Sequence, residues 1–178
     1  QKSYEDCEFK DLLDGFKHIK NSPVMLAEIL AVLYYSYEEI DFVDEPVDLG
    51  FDCPLDLHCS YTRDQILVAM DFMKPNTVRE GTKYLMDKKV DIHFVTLNKS
   101  EKDYSPSTMY NDYSINDTLF HWQSQSTINP DSNTGQRYIN HRETGDKELL
   151  FVREFKSNKL GAAPYTFFGL TDFVSSEG

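Results

Sequence analysis

The stretch Val90-Asp91-Ile92-His93-Phe94-Val95-Thr96-Leu97 constrains the fold of this chain more than any other. In an extended strand Ile92 and Phe94 fall on one side and Val95 and Leu97 on the other, so both sides need cover. A strand of that kind belongs in the middle of a sheet. Further strands are expected at Val78, at residues 84–86 ahead of the charged turn Asp87-Lys88-Lys89, at Leu149-Leu150-Phe151-Val152 and at Tyr165-Thr166-Phe167-Phe168. Thr118-Leu119-Phe120-His121-Trp122-Gln123-Ser124 alternates like a half-exposed strand, and residues 135–141 suit a short helix.

The first third has a different texture. Phe9, Leu12, Leu13, Phe16 and Ile19 recur at helical spacing, which predicts an amphipathic helix over residues 4–20 with Ser3 as N-cap. Asn21-Ser22-Pro23 breaks it and starts a second helix over residues 24–37, whose only charge in that span is Glu28. That helix is too short to span a bilayer and too apolar to stand exposed, so it should pack against another surface. Residues 41–60, acidic and punctuated by Pro46, Gly50 and Pro54, read as a linker or loop. Thr62 and Gln65 have capping-box spacing for a third helix that Lys74-Pro75-Asn76 ends. No repeat recurs at solenoid periods. The expected fold is α+β: N-terminal helices followed by a curled mixed or antiparallel sheet, or a partial β-barrel. Residues 1–60 form a helical lead-in and linker, and residues 61–178 a second unit.

Charge divides at the same point. Residues 1–60 hold 4 basic and 14 acidic side chains, net −10; the remainder of the 18 basic and 30 acidic residues leaves 14 and 16, net −2. The chain is therefore no basic nucleic-acid arm, yet its second part does not repel a polyanion strongly. Three cysteines make no disulfide framework, which favours a reducing, cytoplasmic setting. The N-terminus lacks an apolar signal-peptide core, and a start at Gln1 suggests a piece of a longer protein.

Chemistry is thinly marked. Cys53, His58 and Cys59 offer soft ligands, but their spacing does not suit a zinc knuckle and no fourth ligand is evident, so no metal is expected. Asp131 with Glu154 and Lys156 imitates a Mg²⁺-dependent nuclease pattern. Acid-x-Lys triplets also occur at Glu8-Phe9-Lys10 and Asp87-Lys88-Lys89, which makes the match cheap. No nucleophile elbow and no glycine-rich phosphate loop occurs, so ATPase chemistry is excluded for this stretch. What does stand out is a run of aromatics, amides and cations across residues 98–142. Rings stack on bases at about 1–3 kcal/mol each, amides read base edges and cations hold phosphates.

The blocks Phe94-Val95-Thr96-Leu97-Asn98-Lys99-Ser100-Glu101-Lys102-Asp103-Tyr104-Ser105-Pro106, Met109-Tyr110-Asn111-Asp112-Tyr113, Phe120-His121-Trp122-Gln123-Ser124-Gln125-Ser126, Thr134-Gly135-Gln136-Arg137-Tyr138-Ile139-Asn140-His141 and Leu150-Phe151-Val152-Arg153-Glu154 closely resemble one family. It is the domain of unknown function at the C-terminus of bacterial superfamily II helicases of DEAD/DEAH type, which often carry a phospholipase D-like nuclease domain. Some are modification-dependent restriction enzymes, in which this domain is thought to recognise the target. The resemblance spans residues 61–178, and the family domain should continue further.

The resemblance implies a non-catalytic module without cofactor, related in shape to curled-sheet readers of modified bases. Its expected partners are double-stranded DNA, methylated or plain, and the ATPase and nuclease domains of the same polypeptide. Reading would proceed by flipping out a modified cytosine, at a cost of a few kcal/mol that one or two aromatic stacks offset. Chemistry then places the pocket at Tyr110, Asp112, Tyr113, Trp122, Gln123 and Gln125, and the backbone contacts at Lys99, Lys102, Arg137, His141 and Arg142. A nuclease, or a structural domain that docks on a helicase core through the acidic first third and the second helix, are the alternatives.

Overall fold

A computed structural model describes residue 9 and residues 11–39, 45–79, 81–99, 110–159 and 161–176. Asp11 has extended backbone, and its carboxylate accepts the Asp14 N–H at 2.8 Å, which starts α1 (Leu12–Lys20). The described helix thus begins later than the apolar spacing predicts, because Asp11 caps it; the expected cap, Ser3, lies outside the described residues. Ser22 in extended backbone and Pro23 at the first helical position open α2 (Pro23–Glu38). Although α2 has helical partners in α1, none of its residues is buried, and Val24, Val32, Leu33, Tyr34, Tyr35 and Tyr37 stand exposed.

The acidic segment that follows is more than a linker. Leu49 and Leu55 sink into the main core, and a bridge joins Pro46 to Asp56. After β1 (Ser60–Tyr61) comes α3 (Arg63–Ala69), which has the expected reciprocal cap: the Gln65 N–H donates to Thr62 Oγ1 and the Thr62 N–H to Gln65 Oε1. Ile66 and Leu67 point inward. A 3₁₀ turn over Pro75–Thr77 follows, and Val78 is a buried residue leaving it rather than a strand.

The remaining elements are β2 (Thr82–Leu85), β3 (Val90–Asn98), the short pair β4 (Tyr113–Ser114) and β5 (Phe120–His121), α4 (Asn133–Ile139), α5 (His141–Thr144), β6 (Lys147–Phe155), the pair β7 (Ser157–Asn158) and β8 (Gly161–Ala162), and β9 (Tyr165–Thr171). Among the described residues the main sheet has five strands in the order β1-β9-β6-β3-β2 and is open and mixed. Only the central pair β3–β6 is parallel. A register shift bulges β6 between Leu150 and Phe151, and opposite it Gly169 takes φ +88°, where any residue with a Cβ would be strained.

Alternation along β3 gives the sheet two unlike faces. Val90, Ile92 and Phe94 join Leu149, Phe151, Tyr165 and Phe167 against α3 in one apolar core. Asp91, His93 and Val95 point the other way, where Val95, Leu150 and Val152 are covered by Phe120 and Trp122. The architecture is α+β as expected. Among the described residues no helix is long and apolar enough to cross a membrane.

Candidate functional site

The second face of the sheet carries ionisable groups at fixed register. Tyr84 on β2 stands opposite Asp91 on β3, and Asp91 opposite Glu148 on β6; Thr82 stands opposite His93. Asp91 is only 1% exposed. Its carboxylate takes a two-pronged contact from Arg137 of α4, Nε to Oδ2 at 2.5 Å and Nη2 to Oδ1 at 3.0 Å. Burial disfavours the guanidinium charge, but the Asp91 hydrogen bond and charge outweigh it and leave the Arg137 pKa raised.

Local sequence delivers Arg137 to that point. Ser132 accepts the Gly135 N–H at 3.1 Å and so caps α4, and a Cβ on Gly135 would sit 2.1 Å from the Asn129 carbonyl oxygen. The first turn therefore packs on the preceding loop. Arg137 then lies 3.9 Å above the Tyr84 ring. The Tyr84 hydroxyl donates to Asp146 at 2.8 Å, and Thr144 donates to the other oxygen of Asp146. Burial works to raise the Asp146 pKa, yet these two hydrogen bonds hold it below the ordinary value.

Deeper in the same face His93 Nε2 meets Glu148 Oε2 at 2.5 Å, both side chains 7% exposed. His93 Nδ1 and Glu148 Oε1 are buried without a hydrogen-bond partner. Burial pushes the Glu148 pKa up, with the His93 contact opposing. Trp122 meets the His93 ring edge-on at 4.4 Å and the Tyr138 ring at 5.4 Å. Burial, then the charges of Asp91 and Glu148, raise the Tyr138 pKa, so its hydroxyl stays protonated.

Between β2 and α4 lies an open cavity of about 460 Å³, lined by Thr82, Tyr84, Asp91, Gln125, Asn133, Arg137 and Tyr138 among others. That volume lies in the range of small-molecule sites, roughly 300–1,000 Å³. Two tyrosine rings with hydroxyl, amide and guanidinium groups can stack on a flat heterocycle and hydrogen-bond its edge.

Of the residues singled out by sequence, Gln125 and Arg137 line this cavity, and Trp122 backs it through Tyr138 while packing on Val95, Leu150 and Val152. Tyr110, Asp112 and Gln123 gather elsewhere, in a brace. Lys99 Nζ, 7% exposed, donates to Asp112 at 2.6 Å and to the Tyr110 carbonyl at 2.8 Å. Asp112 also accepts the Gln123 N–H, and Gln123 Oε1 the Asn111 N–H. The Lys99 ammonium is thereby committed inside the protein, and phosphate contact would require that pair to open. Tyr113, 45% exposed, stacks on His121 at 4.9 Å. His141 is buried and its Nε2 accepts the Phe173 N–H, while Arg142 pairs with Asp172 at the surface. Lys102 lies outside the described residues.

Asp131 occupies an exposed turn before α4, Glu154 the exposed end of β6, and Lys156 the residue after it. Cys53 and Cys59 are half-buried free thiols, and among the described residues no group of three His, Cys, Asp or Glu could hold a metal. Sequence reasoning did not assign Thr82, Tyr84, Asp91, His93 or Glu148 to a site. The available signal was Asp91 and His93 two residues apart inside a strand apolar on both sides, since buried ionisable groups need partners.

Residues 55–178 match the model of a family described as a domain of unknown function, DUF3427. No curated protein and no solved structure matches the chain.

Proposed function

We propose, from the premise that the chain belongs to the DUF3427 family, that it is a non-catalytic DNA target-recognition module accepting an extruded base, a modified cytosine, in the cavity between β2 and α4. Its setting would be a cytoplasmic helicase or restriction protein, with the ATPase and nuclease chemistry in other domains. The observation that carries this reading is that Tyr84, Tyr138, Thr82, Gln125, Asn133 and Arg137 line one cavity of about 460 Å³. Stacking on one ring contributes about 1–3 kcal/mol, enough to offset most of a flip that costs a few. A single methyl adds only about 0.8 kcal/mol by burial, so methyl selectivity beyond a few-fold requires a close fit.

Of the cations singled out by sequence, Arg137 pairs with Asp91, Lys99 with Asp112 and Arg142 with Asp172, while Lys83 lines the cavity with its ammonium over the Phe72 ring. Affinity for the phosphate backbone should therefore be modest and its salt dependence shallow. The test is a titration of the full chain with methylated, hydroxymethylated and plain duplexes at two salt concentrations, repeated with Gln125→Ala. Preference for a modified duplex that Gln125→Ala reduces supports the reading. Equal affinity for all three removes the modified base and keeps DNA recognition; no binding to any removes both.

The exposed apolar surface of α2 favours a second role, docking against the ATPase or nuclease domains of the same polypeptide. Leu33→Asp with Tyr34→Asp should then abolish association with those domains while leaving thermal unfolding unchanged. Retained association would end that role.

A further inference from the structure

The guanidinium of Arg137 is held in three ways at once. Asp91 takes Nε and one hydrogen of Nη2 from the side, Tyr84 covers a face at 3.9 Å, and Tyr138 lies 5.5 Å away. A guanidinium has five N–H donors in a plane and no acceptor. With the Nε side bound, the end-on pair remains, one hydrogen on Nη1 and one on Nη2. Neither makes a hydrogen bond to the described residues, and Arg137 lines the cavity.

Two parallel donors fixed in plane match two neighbouring acceptors and clash with a donor. We propose that Arg137, positioned by Asp91 and Tyr84, is the specificity-determining residue of the cavity and selects a base whose edge presents two adjacent acceptors. Guanine does so through O6 and N7, and cytosine with its 5-substituted forms through O2 and N3. Thymine has an N3–H between its two carbonyls, and adenine sets an amino group beside each of N1 and N7, so neither offers the pair. The inference rests on the proposed base-accepting role of the cavity. It goes further by making the arginine fork, held in place by the Asp91 carboxylate, the element that separates 5-methylcytosine from thymine, its deamination product.

The experiment uses the full chain and fluorescent duplexes in which one base faces an abasic site, so that extrusion is easy for each. That base is cytosine, 5-methylcytosine, guanine, adenine or thymine, and binding is read by anisotropy. Wild-type protein should bind the cytosine, 5-methylcytosine and guanine duplexes roughly tenfold or more tighter than the adenine and thymine duplexes. Arg137→Lys keeps the charge opposite Asp91 but loses the fork, and should flatten the preference to within about twofold. Asp91→Asn, which frees the guanidinium to rotate, should weaken the preference less. Equal wild-type binding of all five duplexes overturns the inference and leaves only DNA binding standing, whereas a preference that survives in folded Arg137→Lys overturns the inference and leaves base recognition standing. Failure of the wild type to bind any of them overturns the base-accepting role and the inference together. Should Arg137→Lys fail to fold by circular dichroism, the wild-type ranking alone decides.

Discussion

The two faces of the sheet are made from the same strands and solve opposite problems. On one, Val90, Ile92 and Phe94 meet Leu149, Phe151 and Phe167 in a continuous hydrocarbon layer under α3. On the other, Asp91, His93 and Glu148 are buried one or two residues away along the same backbones, each with a charged or ring partner. The first face supplies stability through area removed from water. The second spends some of it, because desolvated ions regain in pairing little more than they lose. A rigid apolar layer on one face lets the other hold polar groups at fixed spacing around a cavity.

The apolar face is the more sensitive of the two to truncation. Phe151→Ala should lower stability by about 3–5 kcal/mol, since the ring is fully buried and stacks on Phe167 at 4.6 Å. A loss under about 1 kcal/mol in urea melts would show that this face is not the main support. On the polar side, Lys99→Ala should cost about 3 kcal/mol by leaving the Asp112 carboxylate buried and unpaired. Lys99→Met combined with Asp112→Leu should recover most of that loss. If the double variant is as unstable as the single one, the brace holds the hairpin by charge and not merely by filling space.

A smaller effect is a dependence on pH. The folded Glu148 pKa lies above its ordinary 4.5, mainly through burial. The protein therefore holds that proton more tightly than the unfolded chain does. The contribution is fully present below pH 4.5 and fades as pH rises through the folded pKa. Measured against Glu148→Gln, wild-type stability should decline from acidic toward neutral pH. A parallel pair of profiles would mean that His93 fully compensates the buried charge. Asp172 runs the other way: the Arg142 hydrogen bond lowers its pKa, so its contribution is present above 3.8 and is lost as pH falls. Smallest of all, Arg142→Ala should leave the melting temperature unchanged near neutral pH, because the pair is at the surface.

The elements most legible in sequence were those whose signal is local. The capping box at Thr62 and Gln65, the Ser22-Pro23 helix start and the central strand over residues 90–97 follow from neighbouring residues alone. Pairing was not legible. Periodicity says which side chains share a face, but not that β3 lies parallel to β6 or that β9 separates β6 from β1. Nor could it tell a linker from a core segment around Leu49 and Leu55, whose burial depends on partners such as Ile66 and Leu67 brought from later in the chain. The site divided in the same way. Trp122, Gln125 and Arg137 attracted notice as polar and aromatic residues in a loop-rich region, whereas Asp91, His93 and Glu148 were masked by the apolar residues that alternate with them. Lys99 looked like a surface cation because nothing in its neighbourhood reveals that Asp112 folds back onto it.

The parallel register of β3 and β6 has an outcome for how the molecule comes together. Val90 pairs with Lys147, so the sheet's middle forms only after the 48 residues between Asn98 and Lys147 have closed into a loop. No hairpin can template that step, which places the closing event late and makes it slow. The same loop brings α4 and Gln125 against β2, so the cleft they line is completed only as the centre zips up. An occupant would therefore bind the finished molecule alone, and at a hundredfold excess over its dissociation constant it would raise the unfolding free energy by about 2.7 kcal/mol. Thermal shift across a panel of nucleosides thus becomes a direct way to look for it.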